Sequence, residues 1–244
     1  MKNFLNISDL SSQNLREIIE EAKIRKSKRT GLNKSAVDLD QPFAGKSMIM
    51  IFEKPSTRTR ISFDIAIKQL GGSTITLNTD NIHYGIGDES VKDTAKILSE
   101  YTDIVMIRTS QHKKLNDFAK YSNIPVINGL SEQGHPCQIM SDILTFEEIK
   151  GNIKGKTIAW LGDGNNNMSN SFIEASAKFG FKFNIGCPDK YKPSKNMLLW
   201  AKKNKADITV TKNPGNAVKN ADWVMTDKWV SRNNKVDKKK KKKS

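Results

Sequence analysis

Short apolar runs alternate with stretches of helical periodicity along most of this chain. Ser11 or Ser12 can cap a first helix whose Leu15, Ile18, Ile19 and Ala22 share one face, closed by the basic stretch Lys23–Arg29 and by Gly31. Residues 47–52 form a continuous apolar run of strand length. Ile61, Ile65, Ala66 and Leu70 then recur at helical spacing before Gly71-Gly72, which predicts a helix over 61–70. The pattern continues with a strand at 73–77, a polar glycine-bearing loop at 78–90, and a helix at 91–101 with Val91, Ala95, Ile97 and Leu98 as its apolar set. It goes on with a strand at 103–108, a helix at 115–121, a strand at 124–128 and a helix at 139–149.

Gly151–Gly155 interrupts this series, and a second one follows. Its strands are expected at 157–161, 182–186, 208–210 and 223–226, with helices at 169–179, at 194–203 and near Ala217. Strands alternating with helices imply parallel sheets covered on both faces. The expected fold class is therefore α/β, with two doubly wound parallel-sheet domains, the second incomplete. The expected division is 1–150, 151–231, and a basic disordered tail at 232–244.

Composition changes this picture little. The net charge is +15, yet eight basic residues (Arg232, Lys235, Lys238–Lys243) stand against one acid in the last thirteen positions, so about half the excess lies there. No aromatic residue interleaves with those lysines and no nucleic-acid motif accompanies them, so the tail reads as non-specifically sticky rather than as a specific nucleic-acid site. No stretch approaches the roughly 18 apolar residues of a membrane span, and Met1–Leu10 lacks a signal-peptide core. Two cysteines, Cys137 and Cys187, make no disulfide framework, and a reducing cytoplasm is the expected location.

The chemistry concentrates just past the predicted strands, where open parallel sheets bind ligands. Phe52-Glu53-Lys54-Pro55-Ser56-Thr57-Arg58-Thr59-Arg60 crowds hydroxyls and guanidinium groups into a strand-to-helix turn. Unpaired amide donors and the positive end of a helix dipole suit a phosphate there, and Arg58 and Arg60 can add bidentate contacts. The bland alternative is that Ser56 or Thr57 only caps the helix. Arg108 ends one strand, His135 and Gln138 follow another, Asp163–Asn167 follows a third and Asp227 a fourth. Taken singly, Arg108 reads as a surface ion-pair partner, His135 as the residue before a helix-starting proline, and 163–167 as turn chemistry. Gly162-Asp163-Gly164 suggests a dinucleotide loop, but Asn167 stands at the third glycine position, so that fingerprint fails.

Together these segments resemble, in order along the chain, the aspartate/ornithine carbamoyltransferase family. Ser-Thr-Arg-Thr-Arg after Phe-Glu-Lys resembles the family's carbamoyl-phosphate loop, Met106-Ile107-Arg108 its second phosphate-side arginine, and His135-Pro136-Cys137-Gln138 its His-Pro-x-Gln motif. The segment Asp163-Gly164-Asn165-Asn166-Asn167 and the stretch Thr226-Asp227-Lys228-Trp229-Val230-Ser231 are similar to segments of its ornithine-specific members. The resemblance implies that Ser56, Thr57, Arg58 and Thr59 hold the phosphate of carbamoyl phosphate. It implies that Thr59, Arg108 and His135 donate to the carbamoyl oxygen, so that Arg58, Thr59, Arg108 and His135 carry catalysis. Gln138 would hold the carbamoyl amino group. Asn167, Asp227 and Ser231 would bind L-ornithine, with Asn166 as the alternative to Asn167. No metal or organic cofactor is implied, because the leaving group is already activated. A homotrimer working in arginine biosynthesis is.

The sequence also departs from the family. Ser231 is followed by Arg232-Asn233 rather than Met-Gly, and the further helices and the His-Cys-Leu-Pro segment that complete the family's ornithine pocket do not follow. The loop at His83 and Tyr84 has no clear counterpart. The expectation is a C-terminally truncated member with weak turnover and a surplus of uncovered apolar surface. Two other readings stay open: transfer to aspartate, and an inactive fragment or binding module acting only through its basic tail.

Overall fold

The computed structural model describes residues 3–79 and 89–227. The chain packs as two compact units. The first gathers Glu17–Ser131 and His135–Cys137 with the N-terminal residues through Asp9. The second takes Leu10–Arg16, Glu132–Gly134 and the chain from Gln138 onward. Each is built on its own four-stranded, all-parallel sheet.

The first sheet contains β1 (Ser47–Phe52), β2 (Ser73–Asn78), β3 (Ile104–Arg108) and β4 (Val126–Leu130), in the spatial order β2-β1-β3-β4. Alternation along β1 sorts its side chains into two cores. Met48, Met50 and Phe52, with Met106 of β3, pack against Ile67 and Phe63 of α2 (Thr57–Gln69). Ile49 and Ile51, with Val105, Ile107 and Val126, pack against Ala95 of α3 (Val91–Tyr101) and against Leu115 and Phe118 of α4 (His112–Tyr121). Both faces are covered, which is why β1 reads as an unbroken apolar run.

The helix α1 (Ser12–Lys28) starts where expected, with the Ser11 hydroxyl accepting from the Asn14 amide at 3.1 Å. Leu15 and Ile19 are buried, whereas Ile18 is turned outward, as is Ile97 of α3. Two positions along a helix is about 200° of rotation, so Ile97 lies opposite the buried Ala95. Two boundaries differ from periodicity in ways that matter for the site. Helix α2 begins at Thr57, four residues before Ile61, because its first turn is entirely polar and carries no apolar signal. Strand β4 begins at Val126, since Pro125 has no N–H to give the ladder and Ile124 is tied instead to the Ser122 hydroxyl.

The second sheet contains β5 (Thr157–Leu161), β6 (Lys182–Gly186), β7 (Asp207–Thr211) and β8 (Trp223–Thr226), ordered β7-β6-β5-β8. Its helices are α5 (Pro136–Lys150), α6 (Asn167–Phe179), α7 (Lys195–Lys203) and α8 (Pro214–Val218). Phe172 of α6 is the centre of an aromatic core. It stacks on Phe183 at 5.4 Å and meets Trp160 at 6.3 Å and Trp223 edge-on at 6.2 Å. Helix α5 belongs to this unit from Gln138 onward for two reasons. Phe146 stacks on Trp223 at 5.4 Å, and the buried Glu147 carboxylate takes both oxygens to Arg16 Nη1 at 2.7 and 2.8 Å. Glu147 Oε1 also accepts from the Ile153 amide at 3.1 Å.

The three tryptophans among the described residues, Trp160, Trp200 and Trp223, lie in the second unit, so their fluorescence follows its unfolding. Phe172→Ala is expected to cost about 3–5 kcal/mol in a urea titration followed by that signal. An unchanged midpoint would show that Phe172 does not anchor this core.

Candidate active site

In the first sheet the strand order reverses between β1 and β3, and their carboxyl ends open side by side. Phosphate and nucleotide ligands of doubly wound folds bind at this switch point. The signature occupies it. Ser56 is the N-cap residue of α2 in extended conformation (φ −151°, ψ 114°), yet its side chain makes no capping hydrogen bond. Thr57, Arg58, Thr59 and Arg60 form the first turn, which contains no acidic residue. The capping role that would have made Ser56 merely structural is thus not the one it plays.

Arg108 is the last residue of β3. Its Nη1 donates to Thr59 Oγ1 at 3.0 Å, crossing from one side of the switch point to the other. Because Thr59 Oγ1 accepts there, its own proton is left to donate to a third group. His135 stands immediately before Pro136, the first residue of α5. Burial of its ring, reinforced by the positive charge of Arg108, pushes the His135 pKa down to about 4. The ring is therefore neutral near pH 7. Arg60 lines a groove with Asp64, Lys68, Thr74 and Thr76 between α2 and β2, where hydrogen bonds from Thr74 and Lys68 hold the Asp64 carboxyl below the usual range and the Arg60 charge adds a smaller lowering effect.

Arg108 follows an irregular stretch of ladder. Ile107 pairs with Asn128 but Arg108 with Leu130, so Gly129 is the extra residue of a β-bulge. A Cβ at Gly129 would come within 2.3 Å of Met106 Sδ, so a larger residue there would have to displace that buried side chain.

Sequence reasoning gave Glu53 no role, although it opens the turn after β1. Its Oε2 accepts from Thr109 Oγ1 at 2.6 Å and from the Ser110 amide at 2.9 Å, and its Oε1 meets Lys114 Nζ at 3.1 Å. Burial alone would raise the Glu53 pKa. The Thr109 hydroxyl, the Ser110 amide and Lys114 outweigh that and hold it below the usual carboxylate range. The available signal was a carboxylate next to an anion loop, where it would repel a phosphate unless its charge were already taken up.

In the second unit, Gln138 Nε2 donates to Asp142 Oδ1 at 2.9 Å, which leaves the carbonyl end of that carboxamide to accept. Burial pushes the Asp142 carboxyl up to about 6, against the lowering effect of this bond. The second sheet reverses its order between β5 and β8, with Leu161 in register with Thr226, so residues 162–166 and Asp227 leave adjacent strand ends. The Asn166 side chain caps α6: Oδ1 accepts from the Ser169 amide at 2.9 Å while Nδ2 donates to the Asp163 carbonyl at 2.7 Å. Asn167 is the first residue of that helix. Gly164 sits where a Cβ would fall 2.9 Å from the Tyr191 carbonyl oxygen, a packing reason for a glycine that a dinucleotide loop would otherwise suggest. Ser231, the basic tail and the His83/Tyr84 loop lie outside the described residues.

Comparison with known proteins places both domains in one family. Residues 2–148 match the carbamoyl-P binding domain of aspartate/ornithine carbamoyltransferase, and residues 154–244 match the Asp/Orn binding domain. This chain belongs to the aspartate/ornithine carbamoyltransferase family. Among its relatives, the ornithine carbamoyltransferase of Rhizorhabdus wittichii is 46% identical over 230 residues, covering 94% of this chain and 74% of the relative. That of Rhizobium meliloti is 47% identical over 232 residues, covering 95% and 74%. Among solved structures, the ornithine carbamoyltransferase from Pyrococcus furiosus superposes with a TM-score of 0.90 at 36% identity, covering 99% of this chain and 76% of that one. The anabolic enzyme from Campylobacter jejuni gives 0.86 at 36%, covering 99% and 77%.

The depressed His135 pKa has a definite sign. Between pH 6.5 and about 4 the unfolded chain takes up a proton that the folded ring refuses, so this residue withdraws stability as pH falls through that window. The His135 ring resonance, assigned by its loss in His135→Asn, is expected to titrate near pH 4. A midpoint at the ordinary histidine value would contradict the buried placement.

Proposed function

We propose that the chain transfers the carbamoyl group of carbamoyl phosphate to the δ-amine of ornithine, releasing citrulline and phosphate. One observation carries the reading. An uncapped Ser-Thr-Arg-Thr helix start and the strand-end Arg108 converge on Thr59 at the switch point of the first sheet. The names of the relatives supply the acceptor.

On this reading Ser56, Thr57, Arg58 and Thr59 take the phosphate oxygens through hydroxyls, first-turn amides and a guanidinium. Thr59, Arg108 and His135 donate to the carbamoyl oxygen. The amine lone pair forms the new C–N bond, negative charge gathers on that oxygen, and donors fixed in advance stabilise it. The C–O bond to phosphate then breaks, phosphate leaves with the electron pair, and the attacking nitrogen gives up a proton. A neutral His135 serves as a hydrogen-bond donor without adding a second cation beside Arg108. Gln138 takes the carbamoyl amino group through its carbonyl oxygen. Asn167, Asp227 and Ser231 bind the amino-acid end of ornithine, with Asn166 as the alternative to Asn167. A cytoplasmic homotrimer serving arginine biosynthesis completes the proposal.

The full chain, given carbamoyl phosphate, should carbamoylate ornithine and leave aspartate untouched. Carbamoyl-aspartate without citrulline would overturn the acceptor. Calorimetric titration of Arg58→Ala with carbamoyl phosphate should show affinity about ten- to a hundredfold weaker, the effect of losing one charge-assisted hydrogen-bonded pair. Unchanged affinity would remove Arg58 from the phosphate site.

A further inference from the structure

Arg108 is the last residue of β3, paired in regular register with Phe52 of β1 but in irregular register with β4. The bulge at Gly129 breaks the regular β3–β4 ladder at the residue pair that includes Arg108, where the guanidinium must be aimed. On the β1 side, Glu53 extends the contact past the end of the strand. Its amide donates to the Arg108 carbonyl at 3.0 Å, and its carboxylate holds the next two residues, through Thr109 Oγ1 at 2.6 Å and the Ser110 amide at 2.9 Å. Ser110 Oγ adds a longer contact at 3.3 Å. The opposite side of the same turn is pinned by the Thr109 amide donating to Leu130 O at 3.0 Å. Glu53 itself lies three residues before Ser56, so one side chain ties the start of the phosphate loop to the end of β3.

Charge fits the same role. The Glu53 side chain is 11% exposed and its carboxylate is shared among a hydroxyl, an amide and the Lys114 ammonium. Its negative charge is thereby taken up beside a site built for an anion, and Lys114 is kept as a fixed partner instead of a competing phosphate ligand.

We infer that Glu53 is a positioning residue: it clamps the phosphate loop to the β3–α4 turn and so fixes Arg108 against Thr59. The inference rests on the carbamoyl-phosphate reading of this site. It concerns the aim of Arg108 and no direct contact with substrate.

The test is a double-mutant cycle on the full chain, titrated calorimetrically with inorganic phosphate and with carbamoyl phosphate. Glu53→Ala is expected to weaken carbamoyl-phosphate binding about tenfold, as misaimed site groups do. Glu53→Gln, which keeps an acceptor for Thr109 and Ser110, should restore most of the affinity. In an Arg108→Ala background, Glu53→Ala should have little further effect, because its influence passes through Arg108. Fully additive losses, or no loss in Glu53→Ala while Arg108→Ala binds weakly, would overturn the inference and leave the site reading intact. No effect of Arg108→Ala itself, or no binding by the unmodified chain, would instead sink the site reading. Should Glu53→Ala fail to fold by circular dichroism, Thr109→Val takes its place in the cycle. It removes the shortest contact without changing any charge, and the same coupling or additivity decides.

Discussion

The first domain depends on one meeting across the switch point of its sheet: a guanidinium at the end of β3 and a hydroxyl in the first turn of α2. Neither group would hold its place alone. A long arginine side chain loses on the order of 2 kcal/mol of rotamer freedom when fixed, and the amides of a helix start are unsatisfied by construction. Parallel strands solve both problems. Register between β1 and β3 sets the heights of the two loops, so residues more than forty positions apart in sequence arrive at hydrogen-bond distance.

Concentrating positive charge at this point has a cost, and the surrounding residues meet it in distinct ways. Glu53 balances Lys114 inside the turn, Asp64 pairs with Lys68 along α2, and His135 is kept uncharged by burial beside Arg108. Arg108 is thus a directed cation, fixed by its bond to Thr59. This distinguishes the site from the surplus of lysines over the chain as a whole, which gives a diffuse field without geometry.

The second unit repeats the topological device with different chemistry. Its strand order also reverses, and its polar loop and Asp227 leave adjacent strand ends. Its core, however, is aromatic, centred on Phe172, and it captures α5 by burying Phe146 and the Glu147 carboxylate. A glycine-bounded stretch at 151–155 suggests a boundary in sequence. Packing groups residues 138–150 with the second unit through Phe146 and Glu147, while the two family matches divide at 148 and 154, next to those glycines.

The sequence by itself determined the alternation of strands and helices, the boundaries of β1, β5, β6 and β8, and the position of the phosphate-competent residues just past a strand. These are local or periodic properties. A buried parallel strand must be apolar throughout, a helix start must find donors and caps, and ligand residues must follow strand ends. Sequence missed the start of α2 because a polar first turn has no apolar period, and it placed Ile18 and Ile97 inward because spacing fixes a helical face but not how wide the buried stripe will be. Only the tertiary structure decided that Ser56 leaves its cap unmade, that Arg60 lines the groove between α2 and β2, that Asn166 caps α6, and that Glu53 joins two loops. Each of these is a choice among partners of similar chemistry. It is settled by which side chains the packed sheet brings within about 3 Å, and no spacing along the chain encodes that distance.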